Sequence, residues 1–337
     1  MAPMTGSFAQ NLLDPAILFF VLGAFVGVIR SNLEIPPAIS KFLSLYLLMA
    51  LGLKGGAELA MHGLPVEGIL AILAALLMAT LVPAYSFLIL RRRVDAFDAA
   101  AIAATYGSVS AVTFIASQQF LRNNGIEFGG YMTVAMVVME SPAIVMAVLL
   151  ASYVRARGGA GQAVARQGGG LPPLSMKNVL HEAFTDGAHL LLIGSLVVGF
   201  VAGESGKSMM APFTADIFKG LLAFFLLEMG LLVGRQFIDA KVRLDSFLMG
   251  FAILMPLVNA TLAIALAALL ELGRGDATLL AALAASASYI VVPAIVRYAI
   301  PEARPGVYFS MAIGITFPFN ILLGIPLYYA ATGLWWN

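Results

Sequence analysis

Cysteine is absent from the 337 residues, which excludes disulfides, thiolate nucleophiles and cysteine-bound metals and leaves the redox compartment unreadable. Charge is scarce too. Asp, Glu, Lys and Arg make up 11% of the chain and sum to a formal +1, so neither a nucleic-acid surface nor a charged tail is indicated. Histidine occurs only at His62, His181 and His189, which are not spaced for a metal, and there is no zinc- or phosphate-binding motif. The N-terminal MAPMTGSFAQNLLDP has no basic segment ahead of its first apolar run. That run is expected to be a membrane helix rather than a cleaved signal peptide.

What is present is apolar: 61% hydrophobic residues and a mean hydropathy of +0.95, far outside the range of a soluble domain. The expectation is an all-α integral membrane protein. Apolar spans fall at 14–29, 36–56, 66–90, 97–121 and 130–154, then at 178–202, 211–236, 245–270, 276–299 and 306–333, giving ten crossings. The first is short for a bilayer, and Trp335 and Trp336 read as an interfacial anchor. Between the fifth and sixth spans, RARGGAGQAVARQGGGLPPLS (Arg155 to Ser175) is Gly-rich without apolar periodicity, a flexible linker. The chain thus divides into 1–154, the linker 155–175, and 176–337.

Lys and Arg crowd the loops of one side, at Arg30, Arg91 to Arg93, Arg155, Arg157, Arg166, Lys177, Arg235, Lys241, Arg243, Arg297 and Arg304; the other side holds Lys54, Arg122, Lys207 and Arg274. By the positive-inside rule the linker is cytoplasmic and both termini are external in a multi-pass cell membrane protein. Lys41 and Lys219 lie within spans and are expected to snorkel.

The two halves repeat each other. At a constant spacing of 178 positions, Lys41 matches Lys219, Gly52 matches Gly230, Gly56 matches Gly234, Asp98 matches Asp276, Ser108 matches Ser286 and Ser110 matches Ser288; a slightly shorter spacing brings Pro142 onto Pro318. Five spans per half is an odd number, so the second half enters the membrane upside down. An inverted repeat with interrupted helices at corresponding positions is the build of secondary transporters.

The interruptions are TYGSVSAVT (Thr105 to Thr113) and LASASYIVV (Leu283 to Val291), small hydroxyl-rich breaks in the fourth and ninth spans. Counted from Asp98, Ser108 lies ~15 Å into a hydrocarbon core ~30 Å thick, near the midplane. Unwound backbone survives at that depth only when wrapped in protein or lining a polar cavity. Half-helix N-termini with Gly107, Ser108, Val109 and Ser110 facing Ser286, Ala287, Ser288 and Tyr289 make a seat for a small anion held by N–H groups and hydroxyls. Alone, such small residues would equally serve close helix packing.

Glu140, mid-span before Ser141 and Pro142, with Thr316 and Asn320 opposite and Thr113 in the first break, supplies hard oxygen ligands for an alkali cation. Its plainer reading is a carboxyl bracing the Pro142 kink. Glu228 has no acidic counterpart in the other half, and packing, gating and ion binding all suit it. Asp98 and Asp276 are read as helix N-caps.

The runs EIPPAISKFLSLYLLMALGLKGG, YGSVSAVTF, MESPAIVMAVLLA, ASASYIVVPAIVRYAIPEA and GITFPFN, in this order and over nearly the whole chain, resemble the sodium-dependent bicarbonate transporter family, best known from cyanobacteria. The resemblance implies a five-plus-five inverted fold with core and gate domains, a homotrimer, bicarbonate between the broken fourth and ninth helices, and sodium as coupling ion with no other cofactor. Cyanobacterial members carry a longer insert between the halves and dock a small PII-like regulator; the short linker here weighs against that partner.

A serine hydrolase reading of GSVSA needs a base within hydrogen-bond reach. His189, expected toward the start of the sixth span, is the sole candidate, and ASASY has none. No enzymatic activity is expected. A passive anion channel, or a sodium-coupled transporter of another small anion such as a carboxylate, are the alternatives.

Overall fold

A computed structural model of the chain describes residues 11–157, 185, 187–238, 244–289 and 291–336. Most of the expected linker, and the start of the sixth span, lie outside the described residues. Every regular element within them is helical: α1 Pro15–Val28, α2 Pro37–His62, α3 Val66–Leu90, α4 Ala96–Gly107, α5 Ala111–Asn123, α6 Tyr131–Arg157, α7 Gly187–Met209, α8 Phe218–Ile238, α9 Ser246–Leu269, α10 Arg274–Ala284 and α11 Val291–Ala299. A last helix, α12, runs over Pro305–Thr332 with π-helical turns at Ala312–Thr316 and Asn320–Gly324 flanking Pro318.

Among the described residues, eight candidate spans are long and apolar enough to cross a bilayer. To these the expected ten add α1, a shorter apolar helix, and the pair α10 and α11, parted as the ninth span was expected to be. Helix starts follow local chemistry. Asp14, Asp95 and Asp245 accept from Ala16 N, Phe97 N and Leu248 N as N-caps of α1, α4 and α9, each satisfying an amide that has no acceptor within its own helix.

Asp98 and Asp276 lie in the first turn of their helices, where a carboxylate suits the helix dipole as expected. The expected capping is corrected here, because Asp95 and Gly273 hold the N-cap positions and both carboxylates reach elsewhere. Asp98 accepts from Arg304 N at 2.7 Å and Nε at 2.8 Å, and Asp276 from Gly129 N at 2.8 Å and Tyr131 Oη at 2.6 Å. Each repeated aspartate thus ties a broken helix to the loop entering the last helix of the other half.

The helices pack in two groups. In the first, α1 lies along α8, α2 lies along α7, and α2 touches α8. Both pairs join opposite halves, and glycines set their closeness. A Cβ on Gly56 would lie 1.9 Å from Leu196 O, and one on Gly230 2.1 Å from Phe20 O, so only hydrogen at Cα lets these backbones meet. In the second group α3, α4 and α6 pack together, α9 lies on α10, and α10 reaches α3, α5, α6 and α12. The α4–α5 span is the most enclosed, with 94% of its apolar window buried against 22% for α7. A break in that enclosed span is shielded from lipid by protein.

Candidate functional site: two crossed helix breaks

In the fourth span the chain leaves helix at Gly107, passes through extended Ser108, and re-enters helix after Ser110. Ser110 Oγ accepts from Thr113 N at 3.1 Å and Thr113 Oγ1 at 3.0 Å, capping α5. In the ninth span α10 ends at Ala284 and α11 resumes at Val291, with Ser288 Oγ accepting from Val292 N at 3.3 Å. Equivalent serines therefore cap equivalent half-helices.

The breaks are hydrogen-bonded to each other. Ser110 N donates to Ser286 Oγ at 2.9 Å, Ser286 Oγ donates to Leu283 O at 2.8 Å, and Ser288 N donates to Thr105 O at 3.0 Å. All four serines are buried. The carbonyls freed where α10 stops are taken by amide side chains: Asn259 Nδ2 donates to Ala284 O at 2.9 Å and Asn320 Nδ2 to Ala285 O at 2.9 Å. Those asparagines are fixed in turn by Tyr85 Oη on Asn259 Oδ1 and Tyr328 Oη on Asn320 Oδ1. Without them, buried carbonyls would stand unpaired at membrane depth, at ~1–3 kcal/mol each.

At the breaks Ser108 Oγ is buried without a hydrogen-bond partner, and the buried Tyr289 Oη interacts with the Ser110 side chain. Buried polar groups are ordinarily satisfied, which sets the Ser108 hydroxyl apart from its neighbours in the two breaks. The positive ends of α5 and α11 favour an anion there. Among the described residues no Lys or Arg side chain hydrogen-bonds a break residue.

The other expected residues take varied places. Val109 and Ala287 are buried within the breaks, and the Tyr289 ring meets Phe317 edge-on with centroids 5.3 Å apart. Gly107 is a packing contact, since a Cβ there would lie 2.7 Å from the Pro83 ring. Thr316 Oγ1 donates to Ala252 O at 2.7 Å and lies 2.6 Å from Tyr106 Oη. Glu140 is held by His189, with Oε2 to Nδ1 at 2.6 Å and both side chains buried. That contact joins α6 to α7, one from each packing group.

Sequence reasoning missed Asn259, Tyr85, Tyr106 and the His189 contact. Asn259 and His189 did carry a signal, being polar residues inside apolar spans.

No curated protein matches the chain closely enough to count as a relative. Residues 15–333, nearly all of it, match the Na+-dependent bicarbonate transporter superfamily. With that match spanning both helix breaks and the helices that enclose them, the chain belongs to the Na+-dependent bicarbonate transporter superfamily and is a membrane transporter rather than an enzyme.

Proposed function

We propose that this transporter imports bicarbonate together with sodium, by alternating access, with the anion seated between the two helix breaks. The observation that carries the reading is the buried Ser108 Oγ, which has no hydrogen-bond partner, with the buried Tyr289 Oη close to Ser110 in the facing break, at the N-termini of α5 and α11. Bicarbonate offers acceptor oxygens for both hydroxyls and for first-turn amides, and a single charge suited to helix dipoles without a full countercharge. The substrate seat comprises Gly107 to Ser110 and Ser286 to Tyr289, with Gly107 shaping the backbone through its packing on Pro83.

Sodium fits the oxygen-rich side of the breaks, where Thr113, Thr316 and Asn320 supply hydroxyl and amide oxygens. Glu140 belongs to this set only once it has exchanged His189, so we assign it the coupling step rather than a standing ligand. The α1, α2, α7 and α8 group is the gate, and the group holding the breaks is the core. The halves 1–154 and 176–337, each contributing helices to both groups, are inverted repeats of five spans in a cell membrane with the linker cytoplasmic, and the chain assembles as a homotrimer. In support, helix bounds correspond at the repeat spacing, α2 with α8, α3 with α9, α4 with α10 and α5 with α11. The outer face of α7 is apolar, with Leu190, Val197, Val198, Phe200 and Val201 exposed, which suits lipid or a second copy.

Counterflow in reconstituted vesicles with a panel of anions tests the substrate. Exchange with bicarbonate and not with acetate or other small carboxylates is expected; exchange with carboxylates alone contradicts the reading.

A further inference from the structure

A cavity of about 980 Å³ opens between the two helix groups, lined by α2, α5, the loop from Gly125 to Gly130, the start of α6 and Lys207 of α7. Six charged groups of fixed sign line it: Lys54, Arg122 and Lys207 against Glu58, Glu127 and Asp276. They are not evenly paired. Glu58 Oε1 lies 2.5 Å from Lys207 Nζ, and Asp276 is bound by Gly129 N and Tyr131 Oη. Glu127 is exposed. Lys54 and Arg122 are left with no carboxylate within salt-bridge distance among the described residues; each rests on a ring, Lys54 Nζ 4.7 Å from Phe218 and Arg122 Cζ 5.4 Å from Phe128.

Arg122, Lys207 and Lys219 bring positive charge to half-buried Lys54, and Glu58, paired with Lys207, also acts on Arg122. Two cations without a carboxylate partner, side by side in the lining of one cleft, attract anions. The cavity also leads toward the site. Its lining includes Gln118, two turns along α5 from the N-cap Ser110, a distance of ~12 Å.

We infer that Lys54 and Arg122 form an anion-loading subsite in this cavity, which gathers a small monovalent oxyanion, bicarbonate, before it passes to the helix breaks. Both long side chains are free to follow the ion, and their aromatic supports hold them in the cleft without neutralising them. The inference rests on the transport reading above and adds a second, charge-based stage to it.

The test is initial-rate uptake of labelled bicarbonate into proteoliposomes by the full chain, at fixed sodium and low ionic strength, comparing wild type with K54Q, R122Q, K54R and R122K. K54Q and R122Q should each raise KM on the order of tenfold with little change in maximal rate, while K54R and R122K stay near wild type. Raising ionic strength with a bulky inert salt should raise the wild-type KM more than that of the glutamine variants. Arg122 is exposed, so R122Q carries the test if K54Q folds poorly. Unchanged KM in R122Q, or an equal salt response in wild type and variant, overturns the subsite. Absence of uptake by wild type overturns the transport reading, and this assignment with it.

Discussion

Ser108 and Ser286 are equivalent by repeat and opposite in circumstance. The Ser286 hydroxyl is spent on the fold, accepting from Ser110 N and donating to Leu283 O, whereas the Ser108 hydroxyl has no partner. Their alanine variants should therefore separate folding from binding. Ser108→Ala removes an unpaired buried hydroxyl, so thermal unfolding in detergent should be unchanged or slightly raised. Its apparent bicarbonate affinity should fall about tenfold to a hundredfold, the ~1.5–3 kcal/mol of a hydrogen bond to a charged group. Ser286→Ala should lose ~1 kcal/mol of stability as well. A Ser108→Ala protein that unfolds early yet binds normally would return that residue to packing. Asn320→Leu should be the harsher change, since it strands both Ala285 O and Tyr328 Oη, and a drop in unfolding temperature without added ligand is its signature. The serines were legible in the sequence because duplication marked them. The roles of Asn259 and Asn320 were not, because which carbonyls need a donor depends on where α10 stops and what packs against it.

Between helices, closeness is the controlling quantity. Gly56 faces Leu196 O with no room for a Cβ, while a Cβ on Gly194 would meet nothing within 4 Å. Gly56→Ala should therefore sharply reduce the yield of folded protein on size-exclusion chromatography, and Gly194→Ala should leave it unchanged. Eight of the expected spans and both breaks could be read from hydropathy and from small polar residues within apolar runs. Asp98 could not be read correctly. From sequence it opens a helix, but Asp95 is the cap, and Asp98 turns to Arg304, whose nearness is a tertiary fact. At the linker-facing end of α6, Arg155 Nη2 pairs with Glu302 Oε2 at 2.8 Å. Burial pushes the Glu302 carboxyl up, but the Arg155 hydrogen bonds and charge outweigh it and hold the carboxyl below its ordinary value. A lowered carboxylate stabilises the fold above its unfolded-state pKa, and that contribution is lost as pH falls through the lowered value. Glu302→Gln should thus cost at most ~1 kcal/mol near neutrality, since the pair is partly exposed, and the difference from wild type should vanish in acid unfolding curves.

For the molecule as a whole, composition settled the membrane class, and the imbalance of Lys and Arg is the basis of the orientation proposed above. The pairing of α1 with α8 and of α2 with α7 was hidden, because the pattern of glycines shows that helices approach closely without naming their partners. Orientation has its own test: a cysteine placed at Gly168, in a chain that has no other, should resist a membrane-impermeant thiol reagent in intact cells and react after permeabilisation. The central claim is that bicarbonate and sodium cross together through the paired breaks. It is tested most directly by uptake of labelled bicarbonate into proteoliposomes of the purified wild-type chain, with an inward sodium gradient or an equal potassium gradient, at matched pH and membrane potential. Accumulation above equilibrium with sodium, and none with potassium, is the predicted result. Equal accumulation under both gradients, or mere equilibration under the sodium gradient, would contradict it.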